Sequence, residues 1–110
     1  MKVLVTGSSK IFQNKDLNAA LDAIHQDSPI DTVLVTSDNG YPYLASIWAH
    51  DNHVHTRVFV YKGKDDVKRT NQRMMDLEPD IVLAFPGEDA TRDILARAAN
   101  TACTVIEIAG

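Results

Sequence analysis

The chain opens on Lys2-Val3-Leu4-Val5-Thr6-Gly7-Ser8-Ser9, and this stretch decides the fold class. Its aliphatic residues follow one another without polar alternation, which is typical of a strand that is buried on both faces. Gly7 and the two serines then mark a turn. Because a strand is buried on both faces only when helices cover both sides of its sheet, the stretch predicts an α/β protein with this strand near the centre.

The same succession of strand, turn and helix recurs along the rest of the chain. Further strands are predicted over residues 32–36, 56–61, 80–85 and 104–108. Helical spacing of apolar residues predicts a helix over about residues 16–26 and another in each later interval between strands. Five strands and four helices in alternation predict one three-layer, Rossmann-like domain, with a parallel sheet and helices on both faces. The third strand alternates enough to predict an edge position.

The composition excludes several classes of protein. The 110 residues are 45% hydrophobic and 24% charged, which is ordinary for a soluble globular domain. The net charge of −4 argues against a nucleic-acid polymer as partner, because such binding relies on basic groups that neutralise phosphates. No stretch approaches the roughly 18 to 20 apolar residues of a membrane span, so no membrane partner is expected. The one cysteine, Cys103, excludes an intramolecular disulfide and favours a reducing compartment, so we expect a cytoplasmic location.

Ligands of open parallel sheets bind beyond the carboxyl ends of the strands, where the connections diverge. The loops at that edge are residues 7–15, 36–43, 62–70 and 85–91. These loops, with the polar, basic group at residues 68–73, supply the candidate ligand-binding residues Gly7, Ser8, Ser9, Ser37, Asp38, Arg69, Asn71, Arg73, Pro86, Gly87 and Thr91. Backbone amides after a glycine can cradle a phosphate, and arginines four residues apart on a helix can face one anion. The same patterns occur in ordinary turns and solvated helix faces, and both interpretations stay open.

Acidic residues in these loops are candidates for catalysis. Glu88 and Asp89 could supply a catalytic carboxylate, and together with Asp38 they could act as general bases or hold a cation bound to a phosphate. Asp89 or Thr91 could equally cap the helix that follows. The serines after the first strand lack the nucleophile-elbow pattern of a hydrolase.

A group of histidines near the second helix resembles a metal site. It consists of His50, His53 and His55 with Asp51. No second compact set of ligands accompanies it, so neither a metal nor another resident cofactor is expected.

Three motifs are shared with a known family. The first strand ends in Val5-Thr6-Gly7-Ser8, and an Arg-Asn-x-x-Met element survives in part as Arg69-Thr70-Asn71-Gln72-Arg73-Met74. The most specific motif is the exit of the fourth strand, Asp80-Ile81-Val82-Leu83-Ala84-Phe85-Pro86-Gly87. With these motifs, nearly the whole chain resembles the SLOG superfamily, Rossmann-like proteins that include the cytokinin-activating LOG enzymes, and in particular its small single-domain YspA-like branch.

Two loops depart from the family pattern. Where the branch has His-Gly-Gly-Ala-x-Gly-Ala-Asp after the second strand, this chain has Thr36-Ser37-Asp38-Asn39-Gly40-Tyr41-Pro42-Tyr43. The family loop Pro-Gly-Gly-x-Gly-Thr is present as Pro86-Gly87-Glu88-Asp89-Ala90-Thr91, which brings an acidic side chain to the expected phosphate site. LOG enzymes carry a catalytic Glu three residues past that Thr, and here the position holds Ile94.

The resemblance implies binding or sensing of nucleotides and nucleotide-derived ligands, often in bacterial and phage conflict or signalling. We therefore expect a nucleotide-like small molecule as the partner, bound at the carboxyl edge of the sheet. One alternative is a nucleotide N-glycoside hydrolase of the LOG kind, with Glu88 or Asp89 as its carboxylate. The other is an interaction or assembly module in which Tyr41, Tyr43 and Trp48 pack against another copy, and by resemblance a homo-oligomer is an expectation.

Overall fold

A computed structural model describes residues 1–10 and 14–108, in which strands and helices alternate as predicted. The elements are β1 (Lys2–Thr6), α1 (Asn14–Asp27), β2 (Thr32–Thr36), α2 (Tyr41–Asp51), β3 (His55–Phe59), α3 (Val67–Met75), β4 (Ile81–Ala84), α4 (Asp89–Ala98) and β5 (Thr104–Glu107). A 3-10 turn, Lys64–Asp66, leads into α3. None of the helices in these ranges is both long enough and apolar enough to cross a membrane.

The strands form one parallel sheet in the order β3-β2-β1-β4-β5. β1 lies at the centre and β3 at an edge, so both predicted positions are confirmed. The chain adds β2 and β3 on one side of β1 and then returns to the other side for β4 and β5. This reversal creates a switch point between the carboxyl ends of β1 and β4, where the connections diverge to opposite faces of the sheet.

Each face of the sheet has its own apolar layer. Val3 and Val5 of β1 point into the layer that contains α1 and α2, where they pack near Leu21. Leu4 points the other way, into the layer of α3 and α4, beside Ile94. Successive side chains of a strand alternate between faces, so a central strand with both faces covered needs apolar residues at every position. This requirement explains the unbroken aliphatic run in β1 and confirms the three-layer α/β prediction.

β3 ends earlier than the predicted strand 56–61. Its ladder with β2 finishes at the pair Thr36 and Phe59, and Thr36 is the last residue of β2. Residues after Phe59 have no strand beside them to pair with on this side. Tyr61 therefore lies past the end of the sheet, where its side chain reaches the loop that follows β2.

The loop before α2 packs directly on the loop after β1. Gly40 has a φ of +77°, and the N–H of Tyr41 donates to the carbonyl oxygen of Ser8 at 3.2 Å. A side chain at Gly40 would meet that same carbonyl oxygen. Glycine is needed here both for its backbone conformation and for the space it leaves, and the contact fixes the two loops relative to one another.

We expect Gly40→Ala to lower the free energy of unfolding by about 1–3 kcal/mol more than Gly63→Ala, because an added methyl group must displace packed atoms. Gly63 is the matched control: its φ is +81°, and nothing lies within 4 Å of a Cβ built on it. Urea unfolding of both variants measures the difference. Equal losses would mean that backbone conformation alone, and not the contact with Ser8, requires glycine at position 40.

Candidate functional site

The β1–α1 loop is joined to the β4–α4 loop at the switch point. Ser8 is 8% exposed, and its N–H donates to the carbonyl oxygen of Pro86 at 2.8 Å. Its hydroxyl lies 3.5 Å from a carboxylate oxygen of Glu88. The prediction that the Ser8 amide faces a phosphate therefore needs correction, since this N–H already holds the two loops together.

Two predicted residues of these loops are on the surface. Ser9 and Ser37 are both exposed, and the N–H of Ser37 donates to the carbonyl oxygen of Phe59 at 3.1 Å. Residues 11–13 of the predicted loop 7–15 lie outside the described residues. A role for either serine toward a ligand stays a prediction.

α4 starts at the switch point without a side-chain cap. Its N-cap residue is Glu88, whose side chain makes no capping hydrogen bond. The prediction that Asp89 or Thr91 caps this helix is wrong, because Asp89 pairs with Arg92 at 3.0 Å and the Thr91 hydroxyl lies 2.9 Å from the Thr6 hydroxyl. A helix start that lacks a cap leaves its positive dipole end available to an anion.

The residues predicted around the β4–α4 loop do come together, through contacts with one another. A Cβ at Gly87 would meet the side chain of Thr91 and lie 3.1 Å from the backbone carbonyl carbon of Gly7. Thr91 is 5% exposed. Pro86 is exposed, and its carbonyl oxygen receives the Ser8 N–H. This packing gives the glycine and the threonine a structural reason to be there, and their role toward a ligand stays a prediction.

The two candidate catalytic carboxylates have different surroundings. Glu88 lies beside Ser8 at the switch point, whereas the Asp89 side chain is 99% exposed and turns to Arg92. Ile94, at the position of the LOG catalytic Glu, is 1% exposed and packs in the layer of α3 and α4. Glu88 is therefore the carboxylate that the structure puts against the β1–α1 loop.

Asp38 and Tyr61 form a hydrogen-bonded pair beyond the ends of β2 and β3. The Tyr61 hydroxyl donates to Oδ1 of Asp38 at 2.5 Å, and the Thr36 hydroxyl donates to Oδ2 at 2.8 Å. Burial, together with the hydrogen bond and the negative charge of Asp38, raises the pKa of Tyr61 from 10.0 to about 12. Both oxygens of Asp38 thus accept hydroxyl groups.

These side chains close the crevice between the carboxyl ends of β1 and β2. The remaining cavity has a volume of about 20 Å³, and its lining includes Thr6, Gly7, Asp38, Tyr61 and Asn71. Such a space holds about one water molecule. Asp38 and Tyr61 therefore both face the crevice.

The polar and basic side chains predicted on α3 contact several different partners. Arg69 lies 3.5 Å from Asp66, and the Arg73 guanidinium lies over the Phe59 ring at 5.5 Å from its centroid. Asn71 is 2% exposed, and its amide donates to the Ala90 carbonyl oxygen at 3.2 Å and to a carboxylate oxygen of Asp93 at 2.9 Å. Asn71 therefore joins α3 to α4, and the two guanidinium groups contact different groups of the protein.

The aromatic residues proposed as a contact surface are mostly internal. Tyr41 is 3% exposed and stacks on Phe85 with ring centroids 4.4 Å apart. Trp48 is 4% exposed, and its indole N–H donates to Asp22 at 2.8 Å. The interpretation of Tyr41 and Trp48 as a surface for another copy is therefore wrong, while Tyr43 is exposed.

The histidine group does not assemble into a metal site. Within residues 1–10 and 14–108, no three His, Cys, Asp or Glu side chains are placed to hold a metal ion together. His50, His53 and His55 follow one another across the end of α2 and the start of β3, which separates their side chains.

A wide groove of about 820 Å³ lies at the opposite, amino edge of the sheet. Its lining includes Gln72, Met75, Asp80, Arg97 and Cys103, at the ends of α3 and α4 and near the starts of β4 and β5. It contains none of the predicted ligand residues. Ligands of open parallel sheets bind at the other edge, so the switch point remains the candidate site.

The fold and its switch point define a Rossmann-like α/β protein, with a parallel sheet of five strands covered by helices on both faces. The chain belongs to the YspA, cpYpsA-related SLOG family, whose sequence model matches residues 1–61. The match includes the motif Val5–Ser8 and the loop after β2. It ends before the motifs at residues 69–74 and 80–87. The expected resemblance over nearly the whole chain relied on those two motifs as well. Comparisons with curated proteins and with solved structures gave no significant match.

Sequence reasoning missed the contribution of Tyr61 to this edge. The residue was assigned to the end of a strand, and its partner Asp38 is far from it in sequence. A signal was nevertheless present, because the carboxyl ends of neighbouring parallel strands bring the residues that follow them together.

We expect the Tyr61 hydroxyl to lose its proton in a late step, near its pKa of about 12. Its pKa is higher in the folded state, so its contribution to stability is complete below about pH 10 and is lost as the pH rises toward about 12. Near-ultraviolet absorbance of the phenolate follows the titration in the wild type, Tyr61→Phe and the control Tyr43→Phe. Tyr61→Phe should remove the late step. Its persistence in that variant would contradict the assignment.

Proposed function

We propose that this protein binds a nucleotide or a related phosphorylated small molecule at the carboxyl edge of its sheet. The observation that carries the proposal is the uncapped start of α4 beside the β1–α1 loop, at the switch point of a SLOG family fold. An uncapped helix start attracts a phosphate through its N–H groups and its dipole. Family membership supports a nucleotide as the molecule that carries that phosphate.

The negative charge of Glu88 at the carboxyl edge of the sheet limits the number of phosphates that the proposed ligand can carry. Glu88 stands at the start of α4 and within 3.5 Å of Ser8, so it is next to the proposed phosphate position. A carboxylate there opposes a phosphate, and solvent weakens this repulsion because Glu88 is exposed. The proposed ligand therefore binds with moderate affinity and carries few phosphates.

A second candidate function uses the same carboxylate. Glu88 is positioned at the switch point, where a LOG-like N-glycoside hydrolase would need an acidic group, although it is not at the family position, which is Ile94. Under this alternative, nucleoside monophosphates release free base, and Glu88→Gln abolishes the release. Absence of turnover with every nucleotide tested would remove this candidate.

A cytoplasmic location fits the proposal, because Cys103 is an unpaired thiol among the described residues and nucleotides are abundant in that compartment. Association into a homo-oligomer stays a prediction. A measurement of mass by light scattering would test it.

We expect nucleoside 5′-monophosphates to raise the melting temperature of the wild type, with about 2.7 kcal/mol of stabilisation at 100 times the dissociation constant. Glu88→Gln should tighten binding about two- to fivefold by removing a like charge at the surface. Asp89→Asn is the matched control, because this neighbouring side chain is 99% exposed and pairs with Arg92. Calorimetric titration measures the three affinities.

Two results would overturn the proposal. One is the absence of stabilisation by nucleoside monophosphates, dinucleotides and cyclic ADP-ribose alike. The other is an equal gain in Glu88→Gln and Asp89→Asn, which would mean that net charge, and not a phosphate beside Glu88, controls the affinity.

A further inference from the structure

Asp38 has a position that the proposed phosphate site does not explain. It follows β2, the neighbour of β1, and it lines the same small cavity as Gly7 of the β1–α1 loop. In doubly wound sheets, an acidic residue at this place can accept a hydrogen bond from the ribose of a nucleotide whose phosphates lie on the first loop. The chain thus has a carboxylate that lines the same cavity as the candidate phosphate loop.

The present partners of Asp38 are both hydroxyl groups. Its two oxygens accept from Thr36 at 2.8 Å and from Tyr61 at 2.5 Å. Thr36 belongs to β2 and is fixed by the sheet, whereas Tyr61 comes from the connection after β3. One oxygen is therefore held by the scaffold, and the other is occupied by a side chain from a loop.

We propose that Asp38 is the ribose-recognition residue of this protein and that the Tyr61 hydroxyl stands in for a ribose hydroxyl until the nucleotide displaces it. This inference rests on the proposed function and narrows it to ribose-bearing ligands. The carboxylate of Asp38 can accept a hydrogen bond from the 2′-hydroxyl of a ribose. A 2′-deoxy sugar has no such donor, and a 2′-phosphate is repelled by the negative charge.

The size of the cavity explains why Tyr61 must move. The space left beside Asp38 is about 20 Å³, whereas pockets for small molecules measure about 300–1,000 Å³. Tyr61 lies close to Gly63, whose φ is +81° and which has nothing within 4 Å of a built Cβ. The connection after β3 thus has open space at Gly63, and the displacement that we propose moves the Tyr61 side chain away from the crevice.

The test is a set of calorimetric titrations with three kinds of ligand. These are ribonucleoside 5′-monophosphates, their 2′-deoxy counterparts and adenosine 2′,5′-bisphosphate, and each is titrated into four proteins. These are the wild type, Asp38→Asn, Tyr61→Phe and the control Asn39→Ala, which alters an exposed residue of the same loop. We expect the wild type and Asn39→Ala to bind the ribonucleotide about tenfold or more tightly than the deoxynucleotide, as for one hydrogen bond to a charged group. In Asp38→Asn both this preference and the penalty of the 2′-phosphate should shrink to about twofold.

The variant Tyr61→Phe tests the displacement of the Tyr61 hydroxyl separately from the recognition of the ribose by Asp38. Loss of the competing hydroxyl should tighten ribonucleotide binding about fivefold, the equivalent of one ordinary hydrogen bond, and leave the preference over the deoxynucleotide in place. Weaker binding in this variant would overturn the displacement, because it would mean that Tyr61 contacts the nucleotide.

The outcomes distinguish this inference from the proposed function. If ribonucleotides and deoxynucleotides bind the wild type equally, or if Asp38→Asn keeps the full preference, the ribose assignment is overturned and the nucleotide site stands. If none of these probes binds either the wild type or Tyr61→Phe, the proposed function is overturned together with the inference.

Discussion

The described structure depends on how closely two connections approach at the carboxyl ends of β1 and β4. The N–H of Phe85 donates to the Thr6 carbonyl oxygen at 2.9 Å and the N–H of Ser8 to the Pro86 carbonyl oxygen at 2.8 Å, so backbone pairing continues past the ends of both strands. The hydroxyl pair of Thr6 and Thr91 then ties the first turn of α4 to the same place. The two connections leave for opposite faces of the sheet, and these bonds hold the start of α4 against the loop that follows β1.

The contact between these two connections also decides which acidic residue of the β4–α4 loop lies near Ser8. Asp89 is directed to solvent and to Arg92, and Glu88 stays beside Ser8. The acidic substitution therefore adds one carboxylate to the switch point, where the sequence alone allowed two. Ile94 is enclosed in the core, where it contributes to packing between α4 and the sheet.

The fold was predictable because each of its strands is marked by its own residues. β1 and β4 are unbroken aliphatic runs that end at a glycine or at Pro86-Gly87, and this composition is local information. The directions of side chains in the loops were not predictable, because they depend on partners far along the chain. The sequence predicts Tyr41 at a contact surface, whereas its ring stacks on Phe85, because nothing near Tyr41 in sequence indicates that partner. The same is true of the helix start, where Thr91 bonds to β1 and does not cap α4.

The arrangement of charge at the carboxyl edge bears on the kind of nucleotide that we propose as the ligand. Glu88 lies beside the uncapped start of α4, and Asp38 lies across the β1–α1 loop from it, facing the crevice. Two carboxylates on either side of one helix start weaken the attraction of that helix for a chain of phosphates. They are well suited to a ligand that offers hydroxyl donors, because each carboxylate oxygen is an acceptor. The proposed ligand thus gains more from its sugar than from added phosphates.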